Sequence, residues 1–477
     1  MDGVASQIMF SLLTASIISS YLVSINADPS IIGLVAAIPF ISQLIQIPSV
    51  IFAEKFSRKK ISVLANFISR SSLLVTGIVL YINGHSAILP FVILFAIYNL
   101  FKEVSTVAWN SWMRDLIPMH IRGEFYSKRI AYGKFAALFV VLAFTFIFNA
   151  FGKTAFSLVF ITAFAAGMVS LFFIKGIEDV EVEHKGKRNL KEPLKDSNFL
   201  KLVTSLSLWK FASEMALPFF SVYIVTILEY PVWVVIALAS ISQLSSTYFL
   251  HISGRIMDRF GNKPITVLSF ISFSIAAFAF TFTTMPEKHH LTPLLLISIY
   301  ILDGFYSGIS GIAFMNMIAK MTPRGSSASY YAVHNVVVSL FAAIGSISGG
   351  IIASAFLSAN FAIRIDIESS LGFVDIPAIH LANYDFLFVI SAVLSLFAAK
   401  LLRFFKEEGE SSEDIVKKEI RHAVVHDIQT LMAYTHIQPR WLNSKPYTTI
   451  RTHTFNSFEA VTPENNFKDG TQNPNPT

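Results

Sequence analysis

Apolar residues in this chain come in unbroken runs separated by short charged breaks, rather than as the stripes of surface helices or the alternation of half-buried strands. VWVVIALASISQLSSTYFL and ITVLSFISFSIAAFAFTF are typical. About 20 apolar residues in a helix cross a hydrocarbon layer of ~30 Å. A backbone in lipid must close its hydrogen bonds within its own segment, so each run is read as a helix. Twelve spans are predicted: residues 4–25, 30–53, 61–83, 87–113, 130–151, 154–175, 200–227, 231–253, 264–284, 292–319, 330–356 and 384–404. Pro39, Pro48 and Pro218 fall inside spans and predict kinks. The fold class is an all-α polytopic membrane protein.

The connections set the orientation. Loops on one side, counted with the long break between spans 6 and 7, carry 20 lysines and arginines; the opposite side carries only Lys153, Lys288 and Arg364. Basic residues stay in the cytoplasm during insertion, so both termini are expected there, in the cell membrane. The break, IEDVEVEHKGKRNLKEPLKDSNFLK, divides the spans six and six. The expected organisation is a first bundle over 1–175, a linker over 176–199, a second bundle over 200–405 and a tail over 406–477. MDGVASQIMF lacks a basic leader and is read as the start of span 1 rather than a cleaved signal.

The halves also resemble each other. YLVSINADP at 21–29 matches YIVTILEYP at 223–231, AEKFSRKK at 53–60 matches MDRFGNKP at 257–264, and AWNSWMRDLIP at 108–118 weakly matches AFMNMIAKMTP at 313–323. The offsets hold at 202 to 205 residues, the mark of duplication. An even number of spans per half makes this a parallel repeat about an axis along the membrane normal.

GRIMDRFGNKP, residues 254–264, resembles the loop signature G-x-L-A-D-R-x-G-R-K of the major facilitator superfamily, and the likeness runs over about residues 1–405. Gly254, Asp258, Arg259, Gly261 and Lys263 match the motif. In the first-half copy Val50, Glu54 and Ser57 replace its first glycine, aspartate and second glycine, while Arg58 and Lys59 are kept. The resemblance implies two pseudo-symmetric six-helix bundles, transport by alternating access, and a cytoplasmic latch. In that latch Glu54 is expected to pair with Arg114, and Asp258 with Arg259 or Lys320. A mere marker of the cytoplasmic side would use the same basic residues.

Ionisable residues inside spans are costly and point to function. They are Arg70, Lys102, Glu103, Lys134, Lys210, Glu214 and Asp303. Five fall on spans 4, 7 and 10, which the resemblance places around the central cavity. Asn99, Glu103, Thr106 and Asn110 recur at +4, +7 and +11, one polar helical stripe. At 1.5 Å per residue Lys102 and Lys210 lie about 16 Å from the basic side, near the midplane. One arrangement has Lys102, Lys210 or Arg70 holding an anionic or zwitterionic substrate while Glu103, Glu214 or Asp303 carries a coupling proton, with Asn99 lining the cavity. In the other the charges pair off, Lys210 with Glu214 at i, i+4 and Glu103 with Arg70 or Lys134.

The composition is 53% hydrophobic and 14% charged, with mean hydropathy +0.58, against about 25% charged in soluble domains. The pI of 9.2 is a topology signal and not a nucleic-acid one. The absence of cysteine excludes disulfides and thiolate metal sites. No metal motif, nucleophile elbow or P-loop is present in the sequence, so neither an enzyme nor an ATP-driven pump is indicated and no cofactor is expected. GSISGG over 345–350 offers small residues for close helix packing. The tail carries an amphipathic pattern over about 412–434 and then a polar stretch of disorder-favouring composition. The expected function is secondary transport of a small solute by a monomer in the bilayer, coupled to protons. The alternatives are a drug or metabolite exporter and a receptor or scaffold without transport.

Overall fold

A computed structural model describes residues 1–46, 48–49, 57–83, 88–118, 121–179, 191–284, 289–323, 327–369 and 372–407. Span 1 forms two helices, α1a (Asp2–Leu12) and α1b (Ala15–Ser24). Then come α2 (Pro29–Gln43), α3 (Arg58–Asn83), α4 (Ile88–Leu116), α5 (Arg122–Phe151) and α6 (Ala155–Lys175). The second half holds α7 (Ser197–Thr226), α8 (Val232–Phe260), α9 (Lys263–Phe280), α10 (Thr292–Met321), α11 (Ser327–Ala355) and α12 (Asp385–Leu402). Strands β1 (Asn360–Ser369) and β2 (Gly372–Ala382) form an antiparallel hairpin between α11 and α12.

Local chemistry fixes the helix starts. Asp28 accepts the Ser30 N–H at 2.8 Å with Pro29 at the first helical position of α2, and Asp196 accepts from Asn198 and Phe199 at the start of α7. Ten apolar stretches among the described residues are long enough to cross a membrane, one of which, Lys128–Lys175, takes in most of α5 and all of α6. The 15-residue α2 stands where span 2 was expected. Pro39 and Pro218 lie inside helices as anticipated. Large apolar side chains such as Phe146 (75% exposed) and Phe172 (74% exposed) face outward, which a lipid solvent accounts for.

The helix pairing repeats. Within the first half α3 packs on α4 and α6, and α1a on α5 and α6; within the second, α9 packs on α10 and α12, and α7 on α11 and α12. Between the halves α2 packs on α11, and α8 on α5. Adding six to each helix number turns one set into the other, the relation that a duplicated six-helix unit requires.

Two features depart from the expectation. Span 1 is broken at Leu13–Thr14, where Thr14 is extended (ψ 155°). The break coincides with the polar cluster Ser11, Thr14 and Ser16, which lines a cavity shared with α5 and α8. There the freed backbone groups can meet water instead of lipid. The connection from span 11 to span 12 is a two-stranded sheet, not a plain loop. The amphipathic stretch expected at 412–434 lies outside the described residues.

Candidate functional site

The seam between the halves is packed most closely at the end opposite the basic loops. A Cβ added to Gly33 of α2 would lie 2.5 Å from the Ser346 carbonyl oxygen and 2.7 Å from the Gly350 Cα on α11. Here glycine is required by backbone approach. Gly345 and Gly349 do the same on the other side of α11, against the Phe211 and Met215 carbonyls of α7. The small residues of GSISGG thus let one helix wedge between its own half and the other. Ser354 lies 3.4 Å from the Asp28 carboxylate across the seam, and Ser339 donates to Gln43 further along. Among the described residues α4 makes no comparable contact with α10 or α11 at the basic-loop end.

Three acidic side chains on α4, α7 and α10 keep different company. Glu103 is 3.0 Å from Lys102 and accepts from Gln46 Nε2 at 2.7 Å. Glu214 is 2.5 Å from Lys210, whose ammonium also lies 5.4 Å from the Phe40 ring of α2, across the seam. Both carboxylates are buried, while the Lys102 and Lys210 side chains keep 24% and 28% of their surface open. Each lysine is therefore neutralised and still reachable. Asp303 differs: its carboxylate accepts from the hydroxyls of Ser242 (α8) and Tyr306, and no cation pairs with it among the described residues. It lies 11 residues into the 30-residue α10, about 17 Å along the helix and near mid-depth.

Lys134 of α5 is the counterpart, half-buried and without an ion-pair partner among the described residues. It shares a helical face with Ala137, Leu138 and Val141, which line a cavity with Ser240 and Gln243 of α8. Asp303 and the α5 face that carries Lys134 thus border α8 from opposite halves.

Arg70 and Asn99 have other partners. Arg70 is 2% exposed and donates to the Gly167 carbonyl at 2.5 Å and to Ser170 Oγ at 3.2 Å. Ser170 in turn bonds the carboxylate of Asp2, which is paired with Arg129 at 2.9 Å. This network ties α1a, α3, α5 and α6 inside the first bundle; Glu103 pairs with Lys102, not with Arg70 or Lys134. Asn99 spends its amide on the Phe95 carbonyl one turn back. The Arg70 bonds hold that residue inside the first bundle, whereas Asn99 keeps its place one turn before Glu103 on the same face of α4. No signal in the sequence singled out Asp2, Gln46, Ser242 or Tyr306.

The basic-loop ends carry a second constellation. Glu407, four residues past Arg403 at the close of α12, accepts from the backbone N–H of Asn262 and Lys263, from Asn262 Nδ2 at 2.7 Å and from Lys320 Nζ at 2.8 Å. Its side chain is 1% exposed. Burial alone would raise its carboxyl, but the hydrogen bonds of Lys320, Asn262 and Lys263 outweigh that and hold it below the usual carboxylate range. Lys320 thereby has a carboxylate partner in Glu407. The first half repeats the plan in outline: Ser57, which caps α3, donates to Asp179 at 2.7 Å just past α6. In the matched motif Gly261 has φ 91°, a value that favours glycine, whereas nothing crowds Gly254. Arg259 is exposed with its guanidinium 4.9 Å from the Phe260 ring, Lys263 also reaches the Arg403 carbonyl, Arg58 is buried and reaches the Ser111 carbonyl, and Lys59 is half-buried. Glu54 and the side chains of Arg114 and Asp258 lie outside the described residues, and with them the Glu54–Arg114 and Asp258 pairings.

Several solved structures share this architecture. A mutant form of the nucleoside transporter NupG aligns at 15% identity and TM-score 0.64, over 85% of this chain and 99% of its own. The xylose transporter XylE from E. coli, inward open, aligns at 14% and 0.63, over 87% and 98%. A bacterial homolog of the human lysosomal transporter Spinster, inward-facing and occupied, aligns at 16% and 0.60, over 85% and 94%. A search of curated protein sequences gave no significant match. The family model described as Major Facilitator Superfamily matches residues 3–346, most of the chain. With that match, the repeated pairing of six helices and the membrane-length apolar helices, this integral, multi-pass membrane protein belongs to the major facilitator superfamily.

Proposed function

We propose that the chain is a secondary active transporter of a small solute, that its two halves alternate access to a site at the seam, and that protons are the coupling ion. The observation that carries the coupling is Asp303: a carboxylate near mid-depth that, among the described residues, meets only hydroxyls can gain and lose a proton without breaking an ion pair. Glu103 and Glu214 would each have to abandon a lysine first. A D-xylose–proton symporter and a nucleoside transporter share the fold, which supports the same class of work here. The basic-loop end is assigned to the cytoplasm. The seam packed at the opposite end then corresponds to an inward-facing arrangement of bundles 1–175 and 200–405, with the latch residues at the cytoplasmic mouth.

Lys102 and Lys210 are the groups offered to a substrate carboxylate or phosphate, since each can exchange its glutamate for the ligand. A second reading, a neutral polyhydroxylated solute, is favoured by the same pairs if they stay closed. The two differ in the response to Lys102→Gln and Lys210→Gln: loss of binding for an acidic solute, little change for a neutral one. The test is a solute screen in proteoliposomes with and without a pH gradient, repeated for Glu103→Gln, Glu214→Gln and Asp303→Asn. Gradient-driven uptake should fail in Asp303→Asn while solute exchange at equal concentrations persists. Full gradient-driven uptake in all three variants would reject proton coupling through these carboxylates.

A further inference from the structure

The hairpin between α11 and α12 uses residues that neither the transport site nor the latch engages. Its register pairs Phe361 with Leu381, Ile363 with Ile379, Ile365 with Ile376 and Ile367 with Val374. On β1 these positions are two apart, so they share one face of the ribbon. On β2 the step from Ile379 to Ile376 is three residues, which would place the remaining pairs on the opposite face. The register shift at Ile363/Arg364, where β2 carries one residue more than β1, absorbs that step. The irregularity thus keeps eight apolar positions on one face. The other face pairs Ala362 with His380, Arg364 with Pro377, Asp366 with Asp375 and Glu368 with Phe373, so it carries the charged positions of the ribbon and one aromatic one. Two aspartates at directly opposed positions suit that face to water.

A two-stranded ribbon is marginal in water unless it packs on something. Apart from its root against α12, this one packs extensively on no other element among the described residues. The root is fixed: Asn383 N–H reaches the Ala359 carbonyl, and Asp385 accepts the Ala382 N–H at 3.0 Å. Exposed apolar side chains lead from the lipid-facing sides of α11 and α12 to the ribbon, through Ile351, Leu357 and Phe361 and through Val393 and Ile390.

We propose that this hairpin lies along the bilayer surface at the end opposite the basic loops, with its apolar face in the acyl-chain boundary and its acidic face in water. The surface is continuous with the belt that lipid already covers. The unpaired edges of the ribbon need water or headgroup partners, which an interfacial position supplies and the hydrocarbon core does not.

The chain has no cysteine, so Ile365→Cys, Ile376→Cys and Asp366→Cys each give a single labelling site. With the full chain in phosphatidylcholine vesicles, a polarity-sensitive fluorophore at 365 or 376 should emit blue-shifted, be quenched by acyl-chain spin labels and be shielded from iodide; at 366 the pattern should reverse. Iodide quenching at all three sites would overturn the proposal by showing a free ribbon. Shielding of 365 and 376 from both quenchers would overturn it in favour of a protein cover, whether a second copy or the transporter's own mouth. If a variant does not insert, a photoactivatable phosphatidylcholine applied to the unaltered chain decides the matter. Adducts within 361–381 support the proposal; adducts on the spans with none there reject it.

Discussion

Gly33→Val strikes the seam at its tightest point. The added Cβ would stand 2.5 Å from the Ser346 carbonyl and 2.7 Å from the Gly350 Cα, both backbone atoms of a helix held from behind by Gly345 and Gly349. No rotamer relieves such a contact, so α2 and α11 must part. Forced overpacking costs about 1–3 kcal/mol, and a bias of that size on one of two states moves their ratio by roughly 5- to 150-fold. The packed arrangement bears the cost and the arrangement with these helices apart does not. A cysteine pair at Asp28 and Ser354, whose side chains meet at 3.4 Å across the seam, reports the change by spin-label distance or oxidative crosslinking. The short-distance population should fall in Gly33→Val, fall less in Gly33→Ala, and stay unchanged in Gly311→Val, where an added Cβ meets nothing within 4 Å. An unchanged population in Gly33→Val, or an equal loss in Gly311→Val, would show that backbone approach at this glycine does not set the balance between the two states.

Two further outcomes follow from particular contacts. Glu407→Gln should destabilise the second bundle by about 1–3 kcal/mol at neutral pH, since charge-assisted bonds to Asn262, Lys263 and Lys320 are lost. The Glu407 carboxyl is held below its ordinary range, so its contribution is complete above that range and vanishes as pH falls through the lowered value. Thermal unfolding against pH should therefore show the two proteins converging in acid; a constant gap would count against the assignment. Lys210→Met leaves Glu214 buried without its cation and should cost about 3–5 kcal/mol. Lys210→Met with Glu214→Gln should recover much of it, and an additive double variant in thermal unfolding would deny the coupling.

Much of the fold is legible in the residues because lipid is an undiscriminating solvent. Length and charge alone locate spans, and the recurrence at 202 to 205 residues exposes the duplication. The site is legible where chemistry is local. Lys210 and Glu214 are one turn apart and do pair. Lys102 and Glu103, adjacent on the helix, were not expected to meet, yet a flexible lysine stem reaches its neighbour. Arg70 shows the limit of helical periodicity, which gives a face but not the neighbour; its guanidinium turns to Gly167 and Ser170, 97 and 100 residues away in sequence. Glu407 looked like part of a hydrophilic tail because nothing local distinguishes a buried carboxylate from a solvated one. The hairpin is legible only in part: apolar residues alternate without a break over 361–367 in β1, but in β2 the alternation breaks between Ile376 and Ile379, the step that the irregular register accommodates.

Whether Asp303 carries the coupling proton is decided by following proton flux alongside the solute. Vesicles loaded with a pH-sensitive dye should change internal pH when the transported solute is added outside without an imposed gradient. Asp303→Asn should abolish that signal while solute exchange continues. If protons still move with the solute in Asp303→Asn, the coupling runs through another group and the assignment is wrong.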